Sequence, residues 1–394
     1  MSTLKTSVLG IEVENPFLLA SAPPTAKIES IDKAFELGWG GAVLKTITPD
    51  DLEMIEARPT YTTWKIGSKV CGFENIELLS HLTIKEWLNG IKFLKEKHPT
   101  KVIIASIMAP VEKQAWQNLV KTLNESSCDA FELNFSCPHG MPEKGIGMAI
   151  GTDAEISAQI TAWVKEIAQK PVFVKLSPNV TSISEIAKIV EKAGADGLAA
   201  INTVQSMMGV DLDTFTPKPC VNGSSTFGGY SGMAVKPIGL RCVAQIRQSS
   251  NLPILGIGGI SSWQDAAEYI AVGSDAVEIC TEVMVNGYGI IDALKNGLLN
   301  YLEEKGFNTP KDLKNKAVIH LTAHEKLNKE EKQSPIIDDS ICGKCGKCVK
   351  ICNEMEAGCL SLVNEHIRVN KEHCLGCSLC SNICPKNAIH MCKK

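Results

Sequence analysis

The chain has 394 residues, 44% of them hydrophobic, enough for one large core and a smaller companion domain. A formal net charge of −4 leaves no basic excess for a nucleic-acid backbone, and no run approaches the roughly 20 apolar residues that cross a bilayer. The first residues lack the apolar core and cleavage site of a secretory leader, so a soluble, cytoplasmic protein with reduced thiols is expected.

After a short opening segment, apolar runs recur at Phe17 to Ala22, Gly41 to Lys45, Val102 to Met108, Ala130 to Asn134, Val172 to Leu176, Gly197 to Asn202, Pro253 to Ile257 and Ala276 to Cys280. Between them, stretches such as Ile28 to Leu37, Ala154 to Ile167, Ser184 to Ala193 and Asp265 to Ala271 space apolar residues by three and four, as helices covering a sheet do. Eight alternations predict an α/β fold, a (β/α)8 TIM barrel over residues 1–305. An open doubly wound sheet alternates in the same way, and the strand ends favour the barrel.

Where the apolar runs stop, the chain places Lys45-Thr46, Ser106, Asn134 to Cys137, Lys175, Asn202-Thr203, Gly258-Gly259 and Thr281. Barrel enzymes carry their working groups at that end of the strands. Taken singly, each residue has a plain reading as a cap, a solvated lysine or a buried thiol. Together they describe one polar rim with Cys137 as candidate catalytic residue. The glycines of Gly256 to Gly259, and those of Gly228 to Gly232, allow backbone N–H groups to approach an anion closely. Lys45 and Lys175 end apolar strands, which disfavours a cation unless something electron-rich meets it. A phosphate-bearing flavin, FMN, suits both.

Residues 306–334 are rich in Lys and Glu and read as a charged helical linker to a small domain over 335–394. There Cys342-x2-Cys345-x2-Cys348-x3-Cys352 is repeated as Cys374-x2-Cys377-x2-Cys380-x3-Cys384-Pro385. In this spacing three thiolates wrap one cubane and the fourth reaches the other cluster. Hence Cys342, Cys345, Cys348 and Cys384 are assigned to one 4Fe–4S cluster, and Cys374, Cys377, Cys380 and Cys352 to a second. Zinc hooks use pairs of C-x2-C separated by a loop instead. Asn353 stands where the second run has proline, and Cys359 and Cys392 are surplus.

The runs Asn134 to Met141, Lys175 to Val180, Asn202-Thr203, Gly228 to Gly232 and the doubled cysteine motif resemble dihydropyrimidine dehydrogenases, in the small bacterial subunit form. The related dihydroorotate dehydrogenases share part of the Asn-x-Ser-Cys-Pro start. The resemblance implies that Cys137 is the general acid or base facing pyrimidine C5. It also implies that Asn75, Asn134, Ser136, Asn202 and Thr203 hold the ring, and that Lys45 and Lys175 contact FMN. Thr46, Gly232, Gly258, Gly259 and Thr281 complete the expected cofactor site. Phe135 departs from the leucine usual in the animal enzymes.

The expected activity is therefore interconversion of uracil or thymine and the 5,6-dihydro ring, by hydride transfer at FMN with electrons relayed through the clusters. Gly145 to Gly151 is wrongly spaced for a dinucleotide fingerprint, so an FAD/NAD(P)-binding partner subunit or a ferredoxin is expected. A homodimer or heterotetramer follows from the resemblance. Two other readings stand beside it: a flavin reductase of another ring, such as dihydroorotate, and an electron-transfer subunit with a vestigial barrel site.

Overall fold

A computed structural model describes residues 2–52, 55–135, 148–355 and 358–393. The chain forms two compact units, Met1–His320 and Leu321–Lys394. In the first, an antiparallel hairpin, β1 (Thr6–Val8) and β2 (Ile11–Val13), precedes β3 (Phe17–Leu19) and β4 (Gly41–Val43). A second hairpin, β5 (Tyr61–Ile66) and β6 (Lys69–Asn75), interrupts the repeat before β7 (Val102–Ile107). Then come β8 (Ala130–Asn134), β9 (Val172–Leu176) and β10 (Gly197–Ala200). Short strands follow: β11 (Val204–Ser206), β12 (Val210–Asp211), β13 (Thr216–Pro217) and β14 (Gly228–Ser231). The last two barrel strands are β15 (Ile254–Ile257) and β16 (Ala276–Ile279).

Strands β3, β4, β7, β8, β9, β10, β15 and β16 close into a parallel barrel in chain order. All eight lie within the apolar runs read from the sequence. Their outward residues, including Leu19, Ile103, Phe131, Val174 and Val277, pack with Trp39, Trp87, Trp116 and Tyr269 in the main core. Because side chains alternate, the inward residues form a separate cluster of Leu18, Val43, Ile104, Ala130, Phe173, Leu255 and Ala276. The β1–β2 hairpin joins it through Val8 and Val13, both nearly fully buried. A side chain at Gly197 would drive its Cβ to 2.4 Å from the Phe173 ring on the paired strand, so glycine there lets the largest inward residue fit.

Helix starts fix the geometry around the barrel. Thr83 and Glu86 form a reciprocal capping box at Ile84–Lys97, and Ser262 and Asp265 do the same at Trp263–Ala271. Strands β11, β14, β6 and β5 make a four-stranded antiparallel sheet in which Asn75 pairs with both Gly229 and Tyr61. Buried Glu74 ties this sheet to the loop after β11, accepting from Ser206 Oγ at 2.8 Å and from Met208 N at 2.9 Å.

The connector departs from expectation. Between 306 and 334 the chain has single 3-10 turns at Pro310–Asp312, Val318–His320 and His324–Lys326 and no α-helix. Pro310 lacks the N–H a continuing helix needs, Asn315 sits at φ 66°, and the Lys- and Glu-rich stretch is exposed on all sides.

In the second unit β17 (Gln333–Ile337) pairs with β20 (Ile389–Lys393), and β18 (Leu360–Val363) pairs with β19 (His366–Val369). Each cysteine run feeds a short helix, Lys347–Glu354 in the first repeat and Leu379–Asn382 in the second. The fold is thus a TIM barrel followed by a ferredoxin-type domain.

Candidate active site

Alternation along the barrel strands stacks inward residues in layers, apolar near the β1–β2 hairpin and polar toward the carboxyl ends. On β8 the inward series runs Ala130, Glu132, Asn134, and on β16 it runs Ala276, Glu278, continuing to Cys280. Lys175 on β9 stands opposite Asn134 in the sheet register.

Above these layers opens a cleft. It brings together Lys45, Thr46, Asn75, Asn134, Lys175, Asn202 and Thr203 with Gly232, Gly258, Gly259 and Thr281. Ser136 and Cys137 lie outside the described residues. Asn134 Nδ2 donates to Thr46 Oγ1 at 2.9 Å, and Asn202 Nδ2 donates to Asn134 Oδ1 at 3.3 Å. Thr46 Oγ1 is 3.0 Å from Ser106 Oγ, so the ends of four strands, β4, β7, β8 and β10, share one hydroxyl and amide chain. Asn75 is steadied by donation from Nδ2 to Gly229 O at 3.3 Å. The Thr203 hydroxyl is buried with no hydrogen-bond partner among the described residues.

The glycine loops suit a phosphate. Gly259 adopts φ +70°, and a Cβ there would lie 2.6 Å from Lys236 N and 2.8 Å from Gly232 O. Asp265 fastens the loop after β15: its Oδ2 accepts from Ser261 N, Ser261 Oγ, Ser262 N and Ser262 Oγ, each at 2.9 Å. Its Oδ1 meets Lys236 Nζ at 2.6 Å. Burial pushes the Asp265 carboxyl up, and Lys236 and the serine donors outweigh it and hold the group below its ordinary value.

Both cations are matched. Lys45 Nζ lies 2.8 Å from Glu77, and Lys175 Nζ lies 3.3 Å from Glu132 and 3.5 Å from Glu278. Burial works against the charge of Lys175, but the two glutamates prevail and raise its pKa. Burial, then Glu77, pushes the Tyr61 phenol up as well. Sequence reasoning passed over Glu77, Glu132 and Glu278. The available signal was an acidic residue inside an otherwise apolar strand, Phe131-Glu132-Leu133 and Val277-Glu278-Ile279.

In the second unit Cys342, Cys345, Cys348 and Cys384 line one small cavity together with Ile367 and Ile389. The Sγ atoms of Cys352 and Cys359 are 3.3 Å apart, and buried Cys374 belongs to the same apolar cluster. Among the described residues no three His, Cys, Asp or Glu side chains converge as they would around one ion.

A family model for dihydroorotate dehydrogenase matches residues 3–302, the whole barrel. The chain belongs to that family. A model for a 4Fe-4S dicluster domain matches residues 335–391. As a member of a flavin dehydrogenase family with an appended iron–sulfur domain, the chain is an oxidoreductase. It is 38% identical over 343 residues to a chloroplastic dihydropyrimidine dehydrogenase (NADP(+)) of Arabidopsis thaliana, covering 84% of this chain and 80% of that one. To the NAD-dependent dihydropyrimidine dehydrogenase subunit PreA of Escherichia coli it is 36% identical over 396 residues, 98% of this chain and 95% of that one. The catalytic subunit of dihydroorotate dehydrogenase B (NAD(+)) of Pyrococcus furiosus is 37% identical over 311 residues, 79% of this chain and 97% of that one. Among the described residues no helix is long and apolar enough to cross a membrane.

Proposed function

We propose that this family member is the catalytic subunit of a dihydropyrimidine dehydrogenase, interconverting uracil or thymine and the 5,6-dihydro ring. The observation that carries it is charge balance in the cleft: among its described lining residues the cations Lys45 and Lys175 are each paired with carboxylates. The remaining ring-facing groups are amides and hydroxyls. A neutral imide ring, alternating acceptors and donors along its edge, matches Asn75, Asn134, Asn202 and Thr203, whereas the carboxylate of an orotate would need an uncommitted cation. The extent of similarity supports the same reading. The Escherichia coli relative aligns with 98% of the chain, barrel and iron–sulfur domain alike. The Pyrococcus relative aligns with 311 residues, fewer than the two matched regions together.

The residues fit FMN in the barrel and two 4Fe–4S clusters in the second unit. A flavin supplies hydride exchange with carbon and conversion between paired and single electrons. Gly232, Gly258, Gly259 and Thr281 would hold its phosphate end, and Lys45, Thr46 and Lys175 its ring. Asn75, Asn134, Asn202, Thr203 and Ser136 orient the pyrimidine. Cys137, three residues beyond Asn134, would exchange a proton with C5 from the face opposite the flavin. Cys342, Cys345, Cys348 and Cys384 would hold one cluster and Cys374, Cys377, Cys380 and Cys352 the other. The electron partner is an FAD/NAD(P)-binding subunit or a ferredoxin in the cytoplasm, met by a homodimer or heterotetramer.

The test is an anaerobic visible titration of the purified protein with uracil, dihydrouracil and dihydroorotate. Dihydrouracil should bleach the flavin and uracil should shift its spectrum. Bleaching by dihydroorotate alone would overturn the reading in favour of the orotate ring. Metal and flavin analysis should return one FMN and about eight irons per chain, as two cubanes require; stoichiometric zinc, or FAD in place of FMN, would refute the cofactor assignment.

A further inference from the structure

Lys175 on β9 faces Glu132 on β8 and Glu278 on β16, at 3.3 Å and 3.5 Å from its Nζ. The two glutamates are fully buried and Lys175 nearly so. Two ionised carboxylates against one ammonium would leave a net negative charge at a depth where unbalanced charge is strongly disfavoured. One proton removes the imbalance. Oε2 of Glu132 and both carboxyl oxygens of Glu278 lack hydrogen-bond partners among the described residues so long as both groups are drawn as acceptors. A carboxyl O–H on one glutamate, given to the other, supplies the missing donor. Glu278 is the holder: burial first, then Glu132, pushes its carboxyl well above the ordinary range, and Lys175 offsets this only in part. Two other described groups near the trio leave the count as it is. Lys45 is balanced by Glu77 at 2.8 Å, and burial pushes the Cys280 thiol up to about 12, which keeps it neutral.

We propose that Glu132, Lys175 and Glu278 act as one positioning unit, in which a single carboxyl proton shared by the glutamates keeps the trio neutral while Lys175 presents its charge to an electron-rich ring edge in the cleft. With both carboxylates ionised the unit would repel such an edge. With neither, Lys175 would stand as bare positive charge and draw electrons onto the ring too strongly to release them. The inference rests on the flavin reading of the cleft, since Lys175 is among its lining residues.

The test is infrared spectroscopy of the holoprotein near pH 7, alongside FMN affinity and midpoint potential. The wild type should show the stretch of a protonated, buried carboxyl, and Glu278→Gln should lose it. That variant copies the neutral state, so its FMN dissociation constant should stay within about threefold of wild type and its midpoint nearly unmoved. In Glu132→Gln the single remaining carboxyl pairs with Lys175 and ionises, so the stretch should vanish there too. Removing both carboxylates leaves Lys175 uncompensated, and the midpoint should rise. Should Glu278→Gln not fold, Glu132→Gln alone decides. A wild type without the stretch, a stretch that survives Glu132→Gln, or a loss of FMN affinity of about tenfold or more in Glu278→Gln would overturn the proposal. The infrared signal does not depend on substrate, so failure of the pyrimidine reading appears separately, as flavin spectra that no pyrimidine perturbs.

Discussion

Replacing Asp265 with alanine should loosen the loop that follows β15 and, with it, cofactor binding. The carboxylate accepts four bonds from Ser261 and Ser262 and one ion-paired bond from Lys236. Loss of a helix-capping group costs about 1 kcal/mol, and a charge-assisted bond to a largely buried partner adds about 1.5–3 kcal/mol, so a total near ~3 kcal/mol is expected. For a domain of this size that lowers the melting temperature by roughly 4–5 °C. FMN should bind about tenfold more weakly, because the Ser261–Ser262 turn that follows Gly258 and Gly259 loses the carboxylate that accepts its four bonds. The folded-state pKa of Asp265 is lowered. Its stabilisation is therefore complete above the unfolded value near about pH 4 and disappears as pH falls through the lower folded value. Thermal melts of wild type and Asp265→Ala should differ at neutral pH and converge in acid, with flavin fluorescence reporting affinity. Equal melting at neutral pH, or a gap that persists in acid, would refute the reasoning.

Cys137→Ala should retain FMN and iron while turnover falls roughly 100-fold to 10,000-fold, the range for losing a positioned proton donor; near wild-type turnover would remove Cys137 from the mechanism. Thr203→Val, which fills the same space without the orphan hydroxyl, should weaken uracil binding by about tenfold in a flavin-perturbation titration, and unchanged affinity would show that the hydroxyl faces something other than the ring. Cys377→Ala should leave flavin reduction by dihydrouracil in stopped flow largely intact and block partner-dependent turnover. If the variant still turns over with its partner, the second cluster is not on the electron path. NADH or NADPH alone should fail to reduce the flavin of the isolated wild-type chain, and rapid reduction would place a dinucleotide site in this chain.

The barrel was readable because its strands are buried on both faces and therefore appear as unbroken apolar runs; each of the eight observed strands falls inside one. The rim was readable because polarity begins abruptly where those runs end. The β5–β6 hairpin was not, since Tyr61–Ile66 alternates weakly and leaves Tyr61, Trp64 and Ile66 exposed. Its pairing with β14 depends on residues far apart in the chain. Glu132 and Glu278 were visible as oddities, but their meaning lies in a third residue, Lys175, that only closure of the barrel brings near both. The connector misled because a charged run satisfies helix propensity while having no apolar face to bury.

The small hairpin beneath the barrel has a consequence for traffic. With Val8 and Val13 seated among Leu18, Ile104 and Phe173, the amino end of the barrel is stoppered by a dry plug. Among the described residues the cleft is then the route left to hydrogen ions and water approaching the glutamates, the mouth that the proposed pyrimidine would also use. An occupied cleft becomes its own gasket: while a ring is bound, isotopic exchange at Glu278 should stall, and it should resume on product departure. Val13→Asp, by wetting the plug, would give that exchange a back door and uncouple its timing from the catalytic cycle.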